Sequence, residues 1–124
     1  MTDQPKPRTI SVDFDGVIHA YTRGWHDGTI YDPSVPGAIE TLAEMQRTFA
    51  VVVHTTRDAD TVAGWLCARG LNAIPDHRTD RVFWNERETI LVSNRKIASL
   101  AYIDDRAIKF TSWDQARADI EDLT

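Results

Sequence analysis

The sequence has a single cysteine, Cys67, so it can form neither a disulfide within itself nor a thiolate cage for zinc. The place of this residue in the helical pattern "VAGWLCARG" predicts a buried structural thiol rather than a nucleophile. Long apolar runs are also missing. Nothing approaches the roughly 18 residues of a membrane span, and the opening "MTDQPKPR" lacks the apolar core of a secretory leader. No membrane association and a cytoplasmic location are therefore expected. Basic charge is in short supply, with 14 Lys and Arg against 19 Asp and Glu and a formal charge of -5. That balance argues against broad non-specific binding of nucleic acid, although a local basic groove is still possible. Internal repeats and low-complexity tracts are absent. A chain of 124 residues that is 42% hydrophobic and 27% charged has the composition of one globular domain with one core.

What is present alternates between two periods. Arg8 to Val12 reads as a first strand, and the nearly continuous apolar run "FAVVVHT", Phe49 to Thr55, suits a parallel strand covered on both faces. Between them, "PGAIETLAEMQRT" places Pro36 at a first helical position, with Ile39, Leu42 and Ala43 on one face. Asp60 is a candidate cap for a second helix bearing Val62, Trp65 and Leu66, and Gly70 is a suitable stop. Thr89 to Val92 and Leu100 to Ile103 are further strand candidates, joined through Lys96 to Ser99. Ser112 and Gln115 have capping-box spacing before a helix whose apolar face is Ala116, Ile120 and Leu123. Residues 1–7 are expected to be flexible, and 75–88 to form either a hairpin or an irregular loop. The alternation predicts an α/β sandwich with a mainly parallel sheet.

In such sheets ligands bind beyond the carboxyl ends of the strands. The predicted ends carry Asp13 and Asp15, then Thr55 and Arg57, then Asp104 and Asp105, with Lys96 a few residues before the last pair. Four carboxylates converging on one edge repel one another and call for a divalent cation. Hard oxygen donors select magnesium or calcium, and a site left partly open for phosphate suits magnesium. A helix-loop-helix calcium site is a poor alternative for "DFDGVI". Its fifth and twelfth positions, which should be acidic, are Val17 and Gly24.

The "DFDGVI" segment, the apolar "VVVHT", Lys96 and the "AYIDD" pair, in that order from about Ile10 to Phe110, resemble the haloacid dehalogenase-like phosphohydrolase superfamily. "YIDDRAI" is similar to small capless members and to the phosphatase domains of polynucleotide kinases. The resemblance implies a three-layer sandwich with a Rossmann-like sheet and no cap domain. It implies a magnesium-dependent phosphomonoester hydrolase with a nucleotide or a polynucleotide end as substrate. Asp13 would attack phosphorus to form an aspartyl-phosphate, and Asp15 would protonate the leaving oxygen and then activate water. Asp13, the carbonyl of Asp15, Asp104 and Asp105 would form the magnesium site, with either Asp104 or Asp105 as the direct ligand. Thr55 would donate to the phosphoryl group and Lys96 would neutralise it, with Gly16, Thr56 and Arg57 as further substrate-binding residues.

The sequence departs from the pattern it resembles at Ile97, where proline is common after the lysine in the small members of that family; Arg95 is thus a rival to Lys96. Arg57 either binds substrate or pairs with Asp58 or Asp60 at a helix start. The segment Val17 to Pro33, with His19, Tyr21, Trp25, His26 and Tyr31, is too short for a cap domain and reads as a flap. Its aromatics either stack on a base or sugar or pack on the domain surface. Trp84 and Trp113 are expected to pack in the core or at its edge, and His54 to be a satisfied polar group on a buried strand. A second functional class is a catalytically weak module of the same fold that binds a phosphorylated ligand or partner. Such a module has no chemical need for Asp15. The oligomeric state is not legible.

Overall fold

The computed structural model describes residues 5–123. Five strands, β1 (Thr9–Asp13), β2 (Ala50–His54), β3 (Ala73–Pro75), β4 (Ile90–Ser93) and β5 (Ala101–Ile103), form one sheet in the order β3-β4-β2-β1-β5. Every strand pair is parallel. The helices are α1 (Ala38–Met45), α2 (Ala59–Cys67) and α3 (Trp113–Glu121). The class is therefore α/β, a parallel sheet flanked by helices, consistent with a Rossmann-like sandwich. No helix among the described residues is long and apolar enough to cross a membrane.

Strand periodicity divides the core. Ile10, Val12, Val51, Val53, Ile90 and Val92 point to one face and pack under Leu42 of α1 and Val62, Ala63 and Leu66 of α2. Ala50, Val52 and Leu91 point to the other, where they meet Trp84 and Ile97 from loops. The central strands are thus apolar on both faces, as a parallel arrangement requires. On the second face the Thr9 hydroxyl donates to the Trp84 carbonyl at 2.7 Å, and the Ser11 and Ser99 hydroxyls lie 2.6 Å apart.

Several local expectations need correction. Pro36 lies outside α1, because Gly37 at φ 86° separates it from the first helical residue. Asp58, not Asp60, caps α2, accepting from the Thr61 N–H at 3.1 Å and the Thr61 hydroxyl at 2.8 Å. Gly70 does end that helix, in the left-handed region at φ 88°. Residues 76–89 form an irregular crossover, preceded by the short edge strand β3, which the sequence pattern did not announce. Cys67 is exposed rather than buried; it follows Leu66 on the outward side of α2, and its thiol donates to the Ala73 carbonyl at 3.3 Å.

The last helix forms as expected, with the Ser112 hydroxyl accepting from the Gln115 N–H. Only half of the capping box is present, since the Gln115 side chain turns to Asp119. Of the expected apolar face Ala116 is buried, but Ile120 and Leu123 are exposed, and so is Trp113, which was expected in the core or at its edge, because α3 packs against none of the other named elements. Trp113 meets Phe110 instead. The flexibility expected of the amino terminus concerns, for residues 1–4, positions outside the described ones. Pro7 is buried, and the Pro5 carbonyl accepts from Arg87 at 3.0 Å.

Candidate active site

All five strands run the same way, so β1, β2, β4 and β5 end at one edge. Register sets their neighbours: Asp13 lies opposite His54, and Val12 opposite Ile103, which places Asp104 next along the edge from Asp13. Carboxylate oxygens of Asp13, Asp104 and Asp105 come within 4.8 Å of one another. Asp13 is half-buried and the other two are exposed. Burial, then the charge of Asp104, push the Asp13 carboxyl above its ordinary 3.8; Asp105 adds to the rise, while the Phe14 N–H and His54 oppose it.

A hard divalent cation fits this donor set. Oxygens in one octahedral magnesium shell are at most about 4.2 Å apart, so a cluster whose oxygens all lie within 4.8 Å of one another needs little or no contraction. Gly16 adds to the fit. It sits at φ 85°, and a Cβ there would collide with Asp105 Oδ2 and lie 2.9 Å from Cγ of the same carboxylate. The missing side chain at Gly16 is what lets Asp105 lie against the turn that follows β1.

That turn also sets Asp15. The Phe14 carbonyl accepts from the N–H groups of Ile18 and His19, each at 2.9 Å, and the Gly16 N–H donates to the His19 carbonyl at 2.8 Å. The chain folds back, and His19 Nδ1 reaches Asp15 Oδ1 at 2.8 Å. The Asp32 N–H donates to His19 Nε2 at 3.0 Å, so the neutral ring carries its proton on Nδ1 and donates it to Asp15. From the other side Arg57 Nε lies 3.1 and 2.9 Å from the two Asp15 oxygens. Asp15 therefore engages Arg57 and His19, and its side chain stands apart from the three-carboxylate cluster.

Thr55 is buried directly after β2; its hydroxyl accepts from the Arg57 N–H at 3.0 Å, and Thr56 beside it is exposed. The side-chain amide of Asn94 donates to the carbonyls of Thr55 and Arg57, both at 2.7 Å, and pins this loop to the end of β4. Asp13, Asp15, Thr55, Thr56, His54, Tyr21 and Arg106 line a cavity of about 170 Å³. A neighbouring cavity of about 310 Å³ shares Asp13 and His54 and adds Lys96, Tyr102 and Asp104. Lys96 Nζ lies 4.7 Å from the centre of the Tyr102 ring. Arg95 is absent from both linings, and its N–H donates to the Ser93 hydroxyl.

Of the candidate residues, Asp13, Asp15, Thr55 and Thr56 share one cavity, and Lys96 and Asp104 share the other with Asp13. Gly16 and Asp105 lie in contact beside them. Arg57 is buried against Asp15 rather than paired with Asp58 or Asp60, because Asp58 is committed to the α2 cap and Asp60 pairs with His77. His19, Asn94 and Arg106 are additions. His19 gave a weak sequence signal, since only the positive φ of Gly16 brings it back to Asp15. Comparison with family models, with curated proteins and with solved structures finds no match to this chain.

Proposed function

We propose that the protein is a magnesium-dependent phosphomonoester hydrolase of the haloacid dehalogenase-like kind, working through an aspartyl-phosphate on Asp13. The observation that carries this reading is the convergence of Asp13, Asp104 and Asp105 within 4.8 Å at the strand ends, with Thr55 and Lys96 on cavities that both include Asp13. A half-buried carboxylate with two like charges beside it is a poor structural device and a useful nucleophile once a cation balances the cluster. The sheet order supports the same reading, since it places the Asp13 strand between the strands that bring Thr55 and Asp104.

Asp13, Asp104 and Asp105 would hold the magnesium, with the Asp15 carbonyl as a further oxygen; the cation would supply charge balance for a phosphate dianion. Asp13 attacks phosphorus as the bond to the leaving oxygen breaks, and Asp15 gives that oxygen its proton. Water then attacks the same phosphorus, the bond to Asp13 breaks, and Asp15 takes up the proton of the water. The Thr55 hydroxyl and Lys96 ammonium orient and neutralise the phosphoryl oxygens, with Gly16 and Thr56 at the rim. Nucleotides and polynucleotide ends are the substrate classes suggested by the resemblance.

The direct test is a screen of sugar phosphates, nucleotides and phosphorylated oligonucleotides, with and without magnesium, in the wild type and Asp13→Asn. Magnesium-dependent release of phosphate that is lost in the variant is the expected result. Hydrolysis at wild-type rate by Asp13→Asn would remove the assignment.

A further inference from the structure

Building on the phosphatase reading, we infer that His19 and Arg57 are positioning residues for Asp15, and that through them a seated 17–33 segment is a condition for proton transfer at that carboxylate. Both side chains are almost wholly buried, His19 at 0% and Arg57 at 4% exposure. Burying such groups is costly unless their polar atoms are satisfied. Here the satisfaction converges on Asp15: His19 Nδ1 at 2.8 Å, and Arg57 Nε at 2.9 and 3.1 Å.

The remaining bonds of both side chains run into the flap. Arg57 Nη1 donates to the Gly28 carbonyl, and His19 Nε2 accepts from the Asp32 N–H. The Trp25 ring lies over the guanidinium, 4.6 Å from Cζ to centroid, and Tyr21 lies at 5.7 Å. Arg57 Nη2 is buried without a hydrogen-bond partner, so the guanidinium is held there against the cost of an unsatisfied buried NH2 group. Asp15, the flap and the end of β2 thus form one network. Seating the flap fixes Asp15 in one orientation, and lifting it would release both groups that aim the carboxylate.

Among the described residues neither side chain hydrogen-bonds or pairs with Asp13, Asp104 or Asp105. Loss of either should therefore spare ground-state binding and lower turnover. The proton that Asp15 gives to the leaving oxygen, and later takes from water, then travels from a misaligned group, and a displacement of about 1 Å costs about 100-fold in rate. The loss should be greatest where the leaving group most needs the proton.

The experiment measures kcat and KM with magnesium for para-nitrophenyl phosphate, whose leaving group needs little protonation, and for an alkyl phosphate, whose alkoxide needs it fully. The variants are Arg57→Ala, Arg57→Lys, His19→Ala and His19→Gln, with folding checked by circular dichroism. The Ala variants should lose about 100-fold in kcat/KM for the alkyl phosphate, through kcat rather than KM, and distinctly less in kcat/KM for the aryl phosphate, because kcat/KM reports the leaving-group step alone. Arg57→Lys and His19→Gln, which keep the charge or the donor–acceptor pair and are the least disruptive to folding, should recover part of the loss. Trypsin should also cut faster at exposed Arg23 in the Ala variants, as the flap loosens. A raised KM at unchanged kcat, or equal loss of kcat/KM with both leaving groups in folded variants, overturns the positioning role and leaves the phosphatase reading standing. A wild type inactive on every phosphomonoester removes both.

Discussion

Asp13 shows how one residue can be unfavourable for the fold and necessary for the site. Its carboxyl is raised above 3.8 by burial and by Asp104 and Asp105, so the folded protein holds that proton more tightly than the unfolded chain. Stability without metal therefore falls as pH rises from 3.8 through the folded value, and at neutral pH the ionised group is a net cost. Asp13→Asn should raise the melting temperature of the metal-free protein at neutral pH and abolish the stabilisation by magnesium, which arises by mass action on the native state. A lower melting temperature with an unchanged magnesium shift would contradict this. Gly16→Ala tests the same cluster from the backbone. A side chain forced to φ 85° costs about 1 to 3 kcal/mol, and the clash displaces Asp105, so both stability and the magnesium response should drop in thermal melts. Asp13, Thr55 and the Asp104 and Asp105 pair were legible in the sequence because each follows an apolar strand. His19 and Asn94 were not, since their partners are set by a left-handed turn and by two loop carbonyls.

Elements were legible where an apolar run or a cap marked them. β1 and β2 stand within a residue of their expected bounds because runs of β-branched residues leave little choice. The strand β3 was missed although β5 is equally short, because it ends at Pro75 and stands in no apolar run, and the crossover after it is held by tertiary bonds rather than by local preference. Asp76 is the centre of that crossover. Its side chain is 1% exposed and accepts from Arg81 Nε at 2.9 Å, the Ser93 hydroxyl at 2.9 Å and the Arg78 N–H at 3.1 Å. Burial alone would raise its carboxyl, but the bonds from Arg81 and Ser93 reverse the sign and hold it below 3.8. The stabilisation is therefore complete above the unfolded value and is lost as pH falls through the folded one. Asp76→Asn should cost about 2 kcal/mol at neutral pH, the scale of hydrogen bonds to a charged group. Denaturant melts should show the gap to wild type closing below about pH 4, where an unfolded carboxylate takes up its proton. A gap that stays constant down to pH 2 would mean that Asp76 acts by shape and not by charge. Helix α3 differs: its pattern predicted a helix correctly, while the burial of its apolar face depended on a partner element, and α3 packs against none of the other named elements.

For the molecule as a whole, the alternation of strand and helix patterns was enough to predict a parallel α/β sheet, and that sheet alone dictates which edge carries the site. What covers the site was harder to read, because a flap is defined by its contacts and not by periodicity. Between β1 and α1 the chain supplies one aromatic-rich segment and no inserted domain, so the cavities beside Asp13 remain small and accessible. An open site excludes water poorly, and on the proposed reading it must gain precision from contacts to parts of the substrate remote from the phosphate. Trp25 is placed for such a contact: it is 51% exposed while lying over Arg57, so the ring is fixed by the protein and still offers surface to a ligand. Base–aromatic stacking contributes about 1 to 3 kcal/mol per base. A terminally phosphorylated oligonucleotide should therefore exceed its matching mononucleotide in kcat/KM by about 5-fold or more, and Trp25→Ala should erase most of that margin, any loss through Arg57 being common to both substrates. The reverse order, with a mononucleotide or sugar phosphate preferred and no effect of Trp25→Ala on their ratio, would assign the open site to small metabolites. In that case the ring serves only to keep water from the Arg57 pair with Asp15, and the phosphatase chemistry at Asp13 would stand without a polynucleotide substrate.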